Sequence, residues 1–172
     1  MLIGLSTKQA ILIVEFAKDA MEKDGKHYRK VGSEEAYSYL RENYPDYLYF
    51  SEVTNVEMMG VPLEKVEKII KPEERLLGLK KTFDEGGEVK NPELIAKLMD
   101  VADFFHFTAD IPYDHLGISG SILPGLQKSD VSELDFVVYG LDNHRRAIVA
   151  FKEHRGKEVY IEEVDKHITV EA

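Results

Sequence analysis

Residues 117–140 read GISGSILPGLQKSDVSELDFVVYG, and the fold of the second half of the chain turns on how this stretch is divided. A short apolar strand over 116–119 runs into Gly120-Ser121; a loop follows, and a second strand over 134–139 is led in by Glu133 and carries Asp135. Carboxylates at i and i+2 on a strand project from one face, because side chains alternate sides with a period of 2. Two like charges so placed call for a compensating cation, and an oxygen-only donor set suits Mg2+ or Mn2+. A Gly-Ser turn offers unhindered N–H groups and a hydroxyl to phosphate oxygens. Metal and phosphate together point to phosphoryl or nucleotidyl transfer. The plainer alternative is a strand-to-loop turn followed by solvated acids at a strand end.

Composition narrows the field. At 172 residues with 44% apolar and 31% charged residues, the chain has the make-up of a soluble globular protein of one large or two small domains. No apolar run approaches the roughly 20 residues of a membrane span. The start, MLIGLSTKQAILIVEF, lacks a basic leader region and a small-residue cleavage site, so a cytoplasmic protein is the expectation. With no cysteine, disulfides, thiolate catalysis and cysteine-held zinc are excluded. Asn and Gln are scarce beside Glu and Lys, as in thermophiles. A net charge of −10 argues against an extended nucleic-acid surface, which needs a basic stripe. Small-molecule or protein partners fit better, and a homodimer is compatible with the sequence.

Upstream, the apolar run at 10–16 reads as a strand that pairs back, past Asp24-Gly25, with the alternating 27–31; a helix over 7–23 is the rival. Ser33 is placed to cap a helix with Ala36, Tyr39 and Leu40 on its apolar face, stopped by Pro45. Residues 47–53 look extended. Pro62 is expected to open a helix carrying Leu63, Val66, Ile69 and Ile70, and Pro72 another carrying Leu76, Leu77 and Leu79. Glu85-Gly86-Gly87-Glu88 is the best linker candidate, dividing 1–88 from 89–172. Asn91-Pro92-Glu93 starts a helix to about 107 with Leu94, Leu98, Val101 and Phe105 as its stripe; Asn143 caps another to about 155; 157–164 reads as a third strand. The second half is thus α-β-β-α-β, and the chain as a whole α+β.

With those elements in place, the Gly-Ser pair, the loop and the two acids flanking one apolar residue resemble the signature of the DNA polymerase β-type nucleotidyltransferase superfamily. Glu133 stands twelve residues after Ser121, and FVVYG at 136–140 continues the likeness. More narrowly, RKVGSEEAYSYLRENYPDYLYF at 29–50, NVEMMGVPLEKVEKIIKPEERL at 55–76 and HLGISGSILPGL at 115–126 resemble archaeal predicted nucleotidyltransferases of unknown substrate.

The resemblance implies a small mixed sheet with helices packed on it, preceded by an α/β N-terminal region. It implies that Gly120 and Ser121 bind the triphosphate of a nucleotide, and that Glu133 and Asp135 hold Mg2+ or Mn2+. A third carboxylate on a later strand completes the superfamily's catalytic set. In the narrower group that acid lies beyond the point where this chain stops; here Glu162 is the substitute, on the face opposite Val159 and Ile161, with Asp165 next. Two further departures stand out: Glu133 sits where the superfamily more often has Asp, and Pro124 stiffens the turn and removes one N–H donor.

The function so implied is metal-dependent transfer of a nucleoside monophosphate from a nucleoside triphosphate to a small-molecule or protein hydroxyl. The alternatives are a fold that has lost turnover and binds nucleotide or protein, and a subunit completed by another chain. Other residues read more plainly. The six histidines show no HxxxH or HExxH spacing, and His115 before the motif strand reads as structural. Lys26, His27, Arg29 and Lys30 form a solvated basic face, and Tyr37, Tyr44, Tyr47, Tyr49 and Phe50 read as core and interface aromatics. His144-Arg145-Arg146 reads as exposed helix surface, and Ser129 and Ser132 as turn formers.

Overall fold

The computed structural model describes residues 2–4, 11–13, 21–23, 26–66, 68–128 and 133–170; before Val31, Tyr28 is the one side chain described. Within that description the chain is α+β, with four α-helices among short strands. It divides into two compact units, Met1–Ile69 and Ile70–Ala172.

The first unit contains β1 (Leu2–Gly4), β2 (Ile11–Ile13), β3 (Met21–Lys23), β4 (Lys26–Lys30), α1 (Ser33–Asn43), β5 (Leu48–Ser51) and β6 (Val56–Pro62). Its two sheets, β1-β6-β5 and β2-β4-β3, are antiparallel throughout. The apolar run does pair as a strand, with Ile11 opposite Lys30 and Ile13 opposite Tyr28. The turn at Asp24-Gly25 and the side chains of Lys26, His27, Arg29 and Lys30 lie outside the described residues.

Two expectations fail here. The described residues 62–66 and 68–70 form no α-helix: Val56–Pro62 is bonded on both edges, to β1 and β5, and a 3-10 turn at Leu63–Lys65 follows. Pro62 sits at the last strand position, where its missing N–H costs no interior rung. Asn55, left-handed at φ 54°, makes the tight return that gives Val56–Pro62 to the hairpin. Nor does Ser33 cap α1; it is the first helical residue, and extended Gly32 supplies the cap position, its carbonyl accepting the Ala36 N–H at 3.0 Å. Ala36 and Leu40 are buried against Met59, with Val31, Tyr37, Tyr47 and Leu48 around them.

The second unit contains α2 (Pro72–Asp84), α3 (Pro92–Ala109), β7 (Leu116–Ile118), β8 (Phe136–Val138), α4 (Leu141–His154), β9 (Glu158–Ile161) and β10 (Lys166–Thr169). Its strands form two separate antiparallel pairs, β7-β8 and β9-β10, where one mixed sheet was expected. The boundary between units falls ahead of α2, not at Gly86-Gly87, because Leu76 and Leu79 of α2 belong to the same core as α3 and β7. Gly86, at φ +69°, is where the backbone turns at the end of α2. On α3 the buried face is Leu94, Ile95, Leu98, Met99 and Ala102; Val101 and Phe105 lie at its margin.

Asp103 ties this unit together. Its side chain is 2% exposed, at the centre of α3. It accepts a hydrogen bond from the Tyr113 hydroxyl at 2.7 Å and pairs with Lys166 at 3.0 Å and Lys80 at 3.4 Å. Lys80 comes from α2, Lys166 from β10, and Tyr113 from the 3-10 turn that leads into β7. Lys80 also lies 4.9 Å from the centre of the Tyr113 ring, which stacks on His106 at 4.0 Å and meets Phe107 edge-on at 6.5 Å. Burial alone would raise the Asp103 carboxyl, but the bonds from Tyr113 and Lys166 and the charges of both lysines outweigh it and hold the group below its ordinary value. Burial and the Asp103 bond push the Tyr113 phenol far up, so it stays a donor.

The sign of the pH effect follows. Asp103 binds its proton more weakly when folded, so its contribution is complete above the unfolded-chain value of about 3.9 and is lost as pH falls through the lowered folded value. Asp103→Asn should lower the unfolding free energy in urea at pH 7 by roughly 2 kcal/mol, because it removes the buried charge that Lys80, Lys166 and Tyr113 converge on, while each lysine keeps a second carboxylate, Asp84 and Asp100. The variant should also lose much of the acid-side fall in stability below about pH 4. A loss under about 1 kcal/mol with an unchanged acid limb would place the keystone elsewhere.

Candidate functional site

The motif opens on β7. Leu116 and Ile118 are fully buried, and Leu134, Phe136 and Val138 pack against the same core. Alternation therefore assigns Gly117, Asp135, Val137 and Tyr139 to the other face. That face carries the first turn of α2. A Cβ on Gly117 would stand 2.6 Å from Pro72 Cβ and 3.0 Å from the Pro72 carbonyl carbon, so only glycine admits the helix this close. Tyr139 reaches the same turn, its hydroxyl donating to Glu73 Oε2 at 2.8 Å. A bond from its own backbone N–H and the one from Tyr139 hold the Glu73 carboxyl low.

At the far end of β7 the Ser119 N–H donates to the Asp135 carbonyl at 2.8 Å, one rung beyond the Ile118–Phe136 pair. The chain then turns. Gly120 is buried and left-handed at φ +62°, Gly125 is left-handed at φ +78°, and the turn closes through Leu126 N–H to Ser121 O at 2.8 Å and Gly125 N–H to Ile122 O at 3.0 Å. Ile122 and Leu126 anchor it in the interior. Pro124 fits because neither closing bond needs its N–H. The Ser-Glu lead-in is partly outside the described residues, which exclude 129–132 and with them Ser129 and Ser132. Glu133 and Asp135 are both exposed.

The structure brings Asp135 beside the Gly120 turn through the Ser119 rung, and Glu133 is its neighbour two residues earlier. Glu162 is not brought into this hairpin. It is exposed in the 3-10 turn Glu162–Val164 after β9, whose partner is β10. Val159 and Ile161 do face the core, as alternation predicts, but the strand ends before Glu162. Asp165, left-handed at φ 48°, accepts the Tyr160 hydroxyl at 2.9 Å within its own hairpin. Among the described residues no group of three or more His, Asp or Glu is placed to hold a metal ion.

Sequence reasoning missed two cations at the turn. Arg75, half-buried in α2, donates from Nε to the Ile122 carbonyl at 3.3 Å, and Lys90, just before α3, reaches the Gly125 carbonyl at 3.4 Å. Burial pulls the Arg75 guanidinium below its usual value, yet it stays charged across the working pH range. Neither was marked by a motif, since helix spacing alone does not say what lies beside a helix. His115 sits at the opposite end of β7, where its Nδ1 meets the Asn143 amide at 2.8 Å. Asn143 does not cap α4; Gly140 precedes the helix at φ +91°, and Asn143 also donates to the Tyr139 carbonyl. Arg146 is braced between Asn143 and Asp110.

With this geometry in view, comparison with known proteins adds one relative. The chain is 35% identical, over 133 residues, to an uncharacterised protein of Methanocaldococcus jannaschii. That match takes in 77% of the chain and spans 37% of the relative's length. No protein-family model matches the chain. No solved structure matches it. Among the described residues, no helix is long and apolar enough to cross a membrane.

The close approach at Gly117 can be tested directly. Gly117→Ala should cost roughly 1–3 kcal/mol in urea unfolding, since the new methyl meets Pro72 backbone as well as side chain. Gly78, with open space around it, is the control: Gly78→Ala in α2 should be neutral or stabilising by up to about 1 kcal/mol.

Proposed function

We propose that the second unit is a nucleotidyltransferase-like domain that binds a nucleoside triphosphate on the 120–125 turn, with Mg2+ or Mn2+ held jointly by Glu133, Asp135 and the phosphates. The observation that carries this is the Ser119–Asp135 rung, which sets the second acid of the pair directly beside a glycine-bearing turn. The sequence likeness to archaeal predicted nucleotidyltransferases supports it. In this reading the domain transfers a nucleoside monophosphate to a hydroxyl of a small molecule or protein. A cytoplasmic setting goes with it.

The residues present divide the work by their chemistry. Backbone N–H groups of the 120–125 turn and the Ser121 hydroxyl orient phosphate oxygens; Glu133 and Asp135 supply negative oxygen ligands on one side of them. The bound ion would offset phosphate charge and draw electron density from the reacting phosphorus. The protein's own contribution is alignment and charge placement.

A second reading has its own support. Among the described residues no third acid joins Glu133 and Asp135, and Asp165 is engaged by Tyr160. A domain with two ligands and no third would bind the metal–nucleotide complex without turning it over, or would use an acid from another chain or segment.

Calorimetric titration of a nucleoside triphosphate in Mg2+ separates these possibilities from a mere turn. The wild type should bind, and Asp135→Ala should weaken binding at least about tenfold, the cost of one charged ligand. Binding that is absent, or that ignores both Mg2+ and Asp135, would sink the proposal. Where binding is found, incubation with α-labelled triphosphate and candidate hydroxyl acceptors distinguishes transfer from retention of nucleotide.

A further inference from the structure

We propose that Arg75 is the anion-binding arginine of the 120–125 turn, its guanidinium taking non-bridging oxygens of a polyphosphate chain laid on that turn. The ligand class follows from the geometry and rests on the reading of the turn as a phosphate site. In a chain with net charge −10, an arginine beside so many acids ordinarily finds one. Arg75 does not. Its neighbours on α2 are already committed, Glu74 to Lys71 at 2.7 Å and Glu73 to Tyr139 at 2.8 Å. Among the described residues it has no carboxylate partner, and its one side-chain hydrogen bond runs from Nε to the neutral Ile122 carbonyl.

That bond aims the side chain. Nε is tied to the turn, which leaves both terminal nitrogens, with four N–H donors in a rigid fork, available beside the same turn. A half-buried guanidinium satisfied by one neutral carbonyl is incompletely compensated, and its planar fork can take two non-bridging oxygens of a tetrahedral, negatively charged phosphoryl group. The position is rigid. Arg75 lies three residues after Pro72, which Gly117 admits to van der Waals contact, and Leu76 beside it is fully buried. Lys90 reaches the same turn at the Gly125 carbonyl and adds long-range attraction as an exposed charge. Arg75 is thus on a different element from the acidic pair: the acids hold the metal side of the ligand, the arginine the bare phosphate side.

The probe is inorganic tripolyphosphate in EDTA, which removes nucleoside and metal from the measurement. By calorimetry the full-length wild type should bind it; Arg75→Gln, which keeps a donor for the Ile122 carbonyl, should bind about tenfold or more weakly, and Arg75→Lys should fall between. Lys152→Gln, an exposed charge on α4, should bind as the wild type does. Equal affinity of Arg75→Gln and wild type, or no binding by wild type, overturns the assignment. The Arg75 Nε–H resonance of the wild type gives a readout independent of any variant's folding: it should shift and saturate with tripolyphosphate, and a resonance that stays put counts equally against the proposal. The two failures are separable. Arg75-dependent tripolyphosphate binding without Asp135-dependent Mg2+–nucleotide binding defeats the nucleotidyltransferase reading alone. Asp135-dependent nucleotide binding that Arg75→Gln leaves intact defeats the arginine alone.

Discussion

Everything in the second unit hangs from the buried carboxylate of Asp103, because three different elements present their donors to it. Lys80 fixes α2, Lys166 fixes β10, and Tyr113 fixes the turn from which β7 emerges. A carboxylate with so little exposure is costly to desolvate, and only a full set of partners makes it tolerable. That requirement gives the cluster its directional force: hydrophobic burial holds α2, α3 and β7 together, while Asp103 specifies how they meet.

The consequence reaches the candidate site through two short steps. Tyr113 stands three residues before Leu116, so the start of β7 is positioned where α3 is positioned. Gly117 then admits Pro72, which locks the first turn of α2 onto the strand face that bears Asp135 and Tyr139. The Gly120 turn and Arg75 therefore inherit their spacing from one rigid frame. A site assembled in this way needs no bound ligand to bring the turn and its arginine together, and preorganisation of that kind favours binding of a charged chain.

What the residue pattern made readable was local. The Gly-Ser turn, the strand on each side of it, and helices opening at Pro72 and Pro92 follow from punctuation and periodicity, and those elements form. The failures share a cause. Residues from Pro62 carry a helical pattern, but β1 and β5 claim 56–62 from both edges, and pairing partners distant in sequence leave no mark in a local window. Leu76 and Leu79 read as a separate helix face, though their core is shared with α3 and β7, so Gly86-Gly87 looked like a boundary and is a helix-ending turn inside one unit.

At the site the same limit applies. Glu133 and Asp135 were visible as neighbours in sequence, whereas a third acid has to arrive from elsewhere in the fold. Alternation placed Glu162 opposite Ile161, but β9 ends there and the backbone turns away into a 3-10 segment. Arg75 was invisible for the converse reason: it comes close through α2 packing on β7, a contact permitted by the missing side chain of Gly117. Under the proposed reading, the 120–125 turn, Arg75 and Asp135 form one preorganised polyphosphate site. Amide and arginine Nε–H shifts in a 15N-labelled full chain, titrated with Mg2+ and a nucleoside triphosphate, test it most directly. Saturable shifts are expected at Gly120, Ser121, Gly125, Asp135 and the Arg75 Nε–H, with α4 amides unmoved; shifts centred elsewhere, or none, would contradict a shared site.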